Sequence, residues 1–139
     1  MTSSQWVSTA RVATGRPARF GKQLTAHMGR KVRASWDEGA SSGWVEFDRE
    51  GVSVGRVELS CEEGALVMRM EAAGEHVGRL EQVCGIHLAR FGAREGLVVR
   101  WEREDGSEGT CQGPLTPEEV AEHMRAKRAA AGDPSSSSR

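Results

Sequence analysis

"RLEQVCGIHLARFGAR", residues 79–94, decides how the rest of the chain is read. Leu80, Cys84, His87, Leu88 and Phe91 recur at three-and-four spacing, which puts them on one face of a helix over about 74–92. His87 sits inside that apolar stripe, either as a core residue with a polar partner or as a group available for chemistry. A second stripe occurs sixty residues earlier, in "RFGKQLTAHMGR" (19–30). There Phe20, Leu24, His27 and Met28 form the apolar face of a first helix. Thr14 is its expected cap, Pro17 lies in its first turn and Gly29 stops it. At the offset of sixty, Arg19 aligns with Arg79, His27 with His87 and Arg30 with Arg90. Each helix is preceded by a strand and followed by one carrying a tryptophan, Trp36 or Trp101. Either a strand–helix–strand unit is duplicated, or helical periodicity alone produces the echo.

The segments around the helices alternate with the period of strands. Val7–Val12, then "KVRASWDE", "WVEF" (44–47), "VSVGRVELSC" (52–61), "ALVMRMEA" (65–72), "GLVVRWER" (96–103) and "EGTCQG" are separated by glycine-rich turns, which predicts antiparallel neighbours. The alternation shifts phase at Gly55, the mark of a bulge. The expected fold is α+β, a two-layer sandwich of a largely antiparallel sheet with two helices on one face. A single domain over 4–113 is followed by a C-terminal helix over 114–131 and a disordered tail over 132–139. Thr116, Pro117, Glu118 and Glu119 start that last helix strongly, whereas only Val120 and Met124 give it an apolar side.

Composition narrows the function classes. Nineteen basic and twenty acidic side chains give a net charge of -1, no electrostatic footprint for nucleic acid. No apolar run reaches the length of a membrane span or resembles a secretory leader, so a cytoplasmic location is expected. Three cysteines at irregular spacing fit reduced thiols. With three phenylalanines and no tyrosine, Trp6, Trp36, Trp44 and Trp101 are expected to carry much of the packing.

The candidate sites follow from residue type and spacing. His27 and His87 are a metal or ligand pair, or else two buried histidines each bonded to a carbonyl or carboxylate. Antiparallel helices crossing near Leu24 and Cys84 hold the two imidazoles roughly 12–13 Å apart. That is too far for one metal, whose ligands lie within about 2 Å of the ion, and only near-parallel helices close the gap. Cys84 and His87 share a helical face and supply two ligands of an iron or zinc set with His27, but as a member of the stripe Cys84 is also a small apolar residue. No cofactor is otherwise indicated. Arg90, Arg94 and Glu95 end the second helix, where the two guanidiniums either clasp a carboxylate or phosphate or pair with Glu95 at the surface.

The stretches "TARVAT", "RFGKQLTAHMGRKVRASW", "GWVEF", "LVMRMEAA" and above all "RLEQVCGIHLARFGAREGLVVRW" resemble the small bacterial family called domain of unknown function 2218, over about residues 4–103. The family's recurring polar positions fall on His27, His87, Arg90, Arg94 and Glu95. Many members carry another histidine where this chain has Arg30. Members are often encoded beside siderophore-interacting and iron-uptake proteins, so the resemblance implies partners in iron handling. The leading expectation is a non-catalytic binding or accessory protein linked to iron or siderophore metabolism. The alternatives are a small enzyme, with His87 as general base and Arg90 or Arg94 holding an anionic substrate, and a protein-interaction module.

Overall fold

The computed structural model describes residues 5–48 and 51–132. The turn expected at 48–51 lies partly, and the tail expected at 132–139 almost wholly, outside the described residues, as does residue 4 of the expected domain. The elements in chain order are β1 (Gln5–Ala13), α1 (Pro17–Met28), β2 (Arg33–Asp37), β3 (Ser42–Glu46), β4 (Gly55–Glu62), β5 (Ala65–Ala73), α2 (Gly74–Phe91), β6 (Val99–Arg103), β7 (Glu108–Gln112) and α3 (Pro117–Gly132). The strands form one antiparallel sheet in the order β2-β3-β4-β5-β1-β6-β7. The architecture is the expected α+β two-layer sandwich. Alternate residues of the central strands, Ala10, Val12, Val57, Leu59, Met68 and Met70, bury against Phe20 and Leu24 of α1 and Leu80, Cys84 and Leu88 of α2. Each large side chain so buried stabilises the fold by about 1.5–3 kcal/mol.

The central pair explains the echo between the helices. β1 and β5 are nine residues each, and their middle partners are Thr9 and Arg69, themselves sixty residues apart. An antiparallel pair has a local two-fold at its middle, and the offset between these middle partners is the same sixty that aligns His27 with His87 in the sequence. The equivalence ends at the helices. β2 lies at the far edge of the sheet, whereas β6 pairs with β1 at its centre. Trp36 is accordingly half-buried and Trp101 buried. The packing load expected of four tryptophans falls on Trp101, because Trp6 and Trp44 also lie only partly covered.

Two local expectations are corrected. Arg16, not Thr14, precedes α1 and makes no side-chain cap. Thr14 Oγ1 instead accepts the Arg16 N–H at 3.1 Å and donates to Glu95 at 3.2 Å. β4 begins at Gly55 rather than Val52, and its register with β5 runs regularly from Gly55↔Ala72. On the β3 side the expected bulge is present: Phe47 donates to the Gly55 carbonyl at 2.8 Å and accepts the Val54 N–H at 2.9 Å, two residues against one, which shifts the alternation. A β-carbon at Gly55 would stand 2.6 Å from Leu80 Cδ1 and 2.9 Å from Ala72 Cβ, so its glycine also lets α2 approach the sheet. A second irregularity lies in the β6–β7 pairing, between Arg100 and Glu102. Gly55→Val is expected to cost about 1–3 kcal/mol by overpacking, measured by urea unfolding, with the native fold retained.

The opposite face of the sheet is polar. Arg56 pairs with Glu46 at 3.0 Å and lies 4.6 Å above the Trp44 ring, and Arg69 meets Glu71 at 2.7 Å. A contiguous exposed apolar patch would favour the interaction-module reading. Among the described residues Val52, 72% exposed, is the only large apolar side chain in the open. At α3, Thr116 Oγ1 accepts the Glu119 N–H as the expected cap, and Glu119 in return accepts the Thr116 N–H.

Candidate functional site

The C-terminal ends of α1 and α2 meet, and their imidazoles meet with them. The His27 and His87 ring centroids are 4.4 Å apart at an interplanar angle of 55°. Phe91 closes the group, edge-on to His27 at 5.5 Å and stacked with His87 at 6.3 Å. The separation of 12–13 Å expected from a crossing at Leu24 and Cys84 is wrong. Contact falls three residues further on, where residues equivalent under the local two-fold touch.

Both rings are half-buried and line a cleft of about 680 Å³, so neither is a sealed core histidine. The floor is apolar, from Met28, Val32, Phe47, Leu80 and Val83, with Val52 and Val54 on the β3–β4 connection. Around it stand Arg30 and Lys31 after α1, His76 and Arg79 in the first turns of α2, and Lys127 of α3. Among the described residues none that lines it is acidic. Burial holds the His27 pKa below its ordinary value of 6.5, and Arg90, Arg30, Lys127 and Lys31 depress it further. As pH falls below 6.5 the unfolded chain takes up this proton before the folded one does, so stability declines there. His27→Gln is expected to flatten the stability profile between pH 6.5 and the onset of carboxylate titration, measured by urea midpoints across that range.

His87 is oriented from behind. Arg90 Nη2 lies 3.0 Å from His87 Nδ1, and because a guanidinium only donates, Nδ1 is the acceptor. The neutral ring then carries its proton on Nε2, which leaves it poorly set up as the general base of the enzyme reading. Burial lowers the Arg90 pKa from its ordinary value, and His87 Nδ1 accepts one of its N–H groups.

The remaining candidates do not join the pair. Cys84 is fully buried, and burial pushes its thiol up to about 12, so it serves as an apolar filler. The expected set of His27, Cys84 and His87 does not gather around one point. Among the described residues no three His, Cys, Asp or Glu side chains converge to hold a metal ion. Arg94 and Glu95 do not line the cleft. α2 ends at Phe91 and a 3-10 turn, Ala93–Glu95, breaks the four-residue register with Arg90. Glu95 instead accepts the Arg16 Nε–H at 2.9 Å, and Arg16 foremost holds its carboxyl below the usual range.

The cleft residues Lys31, Arg79 and Lys127 were not legible as a site. His76, Leu80, Val83 and His87 do follow a four-three-four spacing along α2, a signal that the stripe through Cys84 and Leu88 obscures.

A second polar group lies beneath α2. Glu81 is 0% exposed and receives Arg103 at 3.0 Å through both Nε and Nη2, Ser8 at 2.6 Å, and the Thr110 backbone and hydroxyl at 3.2 and 3.0 Å. Burial alone pushes its pKa up, but Arg103, Ser8 and Thr110 together bring it below the ordinary value. With its oxygens so engaged, Glu81 is structural.

Among the described residues, no helix is long and apolar enough to cross a membrane. The fold is similar to the NMR structure of PA4090 from Pseudomonas aeruginosa, with a TM-score of 0.55 and 22% identity over 70% of this chain and 95% of that one. No curated protein matches the chain. Residues 9–102, spanning β1 to β6 with both imidazoles, match a family described as uncharacterized proteins conserved in bacteria. The chain that folds into this sandwich thus belongs to the DUF2218 family.

Proposed function

We propose that the protein binds a small amphipathic anion in the cleft between α1, α2 and α3, without transforming it. The observation that carries this reading is the lining: four Lys or Arg side chains and three histidines around an apolar floor, with no carboxylate among the described lining residues. Glu75 meets His76 from outside that lining, and the four Lys and Arg side chains that face the cleft favour an anion, while the apolar floor favours a hydrocarbon or aryl body. The volume of about 680 Å³ suits a small molecule. The iron and siderophore link implied by the family resemblance belongs to this class, since siderophores with catecholate or carboxylate arms are amphipathic anions. In that case the partner proteins would be those that deliver or collect such a ligand.

Titration with dodecanoate, and with a catecholate siderophore in iron-free and ferric forms, tests the reading. Amide shifts at His27, Val83 and His87 are expected, and Arg30→Glu with Lys31→Glu is expected to weaken binding by more than about tenfold. Both positions are exposed, so the fold tolerates the change. Spectra that stay flat around the cleft for every ligand would overturn it. Preference for the ferric over the iron-free siderophore would assign the iron link; equal affinity for all three anions would remove it.

A further inference from the structure

We infer that the cleft is built for a ligand with an anionic group at each end and an apolar middle. The geometry of α2 carries this, together with the charges that gather at the two ends of its cleft-facing row. His76, Leu80, Val83 and His87 all line the cleft, so one stripe of the helix forms its wall. His76 and His87 are eleven residues apart, a distance of about 16 Å along the axis. At the first end Arg79 Nη2 lies 3.4 Å from His76 Nδ1 and both face the cleft, while Glu75, outside the lining, meets His76 Nε2 at 3.3 Å and leaves the Arg79 guanidinium as the charge of this pole. At the other, Arg30, Lys31 and Lys127 are near enough to His27 to act on its charge, and His27 touches His87. Between these poles the α2 wall presents only Leu80 and Val83, faced by Phe47 and Val54. A single anionic head occupies one pole and leaves the other solvated. A long dianion engages both while its chain covers the apolar stretch.

The two-pole geometry rests on the anion-binding reading of the same cleft and goes further by naming the ligand class. Calorimetric titration of the full chain with a twelve-carbon α,ω-dicarboxylate, a six-carbon dicarboxylate and dodecanoate separates the two. The long dianion is expected to bind about tenfold tighter than dodecanoate, and the short one, unable to span the poles, more weakly than either. Arg79→Gln, at an exposed position, is expected to bring the ratio between long dianion and dodecanoate close to one. If long dianion and monoanion bind alike in the unaltered protein, the second pole is refuted while the anion site stands. If Arg79→Gln leaves the ratio unchanged, the pole is likewise refuted. Should none of the three bind, both readings fall together.

Discussion

Truncating Glu81 to alanine is expected to lower the unfolding free energy by about 3–5 kcal/mol, enough to bring a domain of this size near its stability limit. The carboxylate lies at 0% exposure with Arg103 beside it, and its removal leaves a guanidinium only 17% exposed without a counter-charge. Ser8 and Thr110 lose their acceptor in the same step. Replacing both charges, Glu81→Leu with Arg103→Met, is expected to recover part of the loss, because no lone charge is then buried. A double-mutant cycle by urea unfolding reads the coupling. The same pair sets an acid limit. The unfolded carboxyl titrates at its ordinary value of 4.5 and the folded one lower, so the contribution is whole above pH 4.5 and lost as pH falls through the folded value. A loss below about 1 kcal/mol in Glu81→Ala, or an unchanged acid limb, would show that the pair is dispensable.

Trp101→Ala is expected to cost about 3–5 kcal/mol, and Trp101→Phe about 1–3 kcal/mol, the two separating packing from hydrogen bonding. Trp101 is 2% exposed and belongs to the core that both helices cover. Its Nε1–H donates to Gln112 Oε1 at 2.9 Å, Gln112 Nε2 donates to Thr110 Oγ1 at 2.8 Å, and the Thr110 hydroxyl donates to Glu81 at 3.0 Å. The donors all run one way and end on the buried carboxylate. Phenylalanine keeps most of the apolar contact but leaves the Gln112 carbonyl unpaired at a site 7% exposed. Gly85 keeps room for that amide, since a β-carbon there would lie 1.8 Å from Gln112 Oε1. Equal stability of the phenylalanine variant and the parent would mean that water replaces the indole donor.

How far the chain could be read depended on the range of the interactions involved. The two helices, the hairpin strands and the sandwich were legible in Leu80, Cys84 and Leu88 at helical spacing and in Val57, Leu59 and Cys61 at strand spacing. Periodicity also found His27 and His87, the two residues at the centre of the cleft. It marked the bulge at Gly55 but not the approach of Leu80, from twenty-five residues away, that also calls for glycine there. It gave no hint that Glu81 meets Arg103, because that pairing depends on where α2 lies over β6. A helical repeat says which side of a helix faces inward, but not where along its axis a second helix touches it. That point is set by the length and register of β1 and β5, which bring the two imidazoles together and gather Arg30, Lys31, Arg79 and Lys127 around one cleft. The sequence by itself therefore determined the elements and their inward faces, since these depend on neighbours within a few residues. Only the tertiary structure decided the site, since charges from three helices converge there through packing that no local pattern encodes.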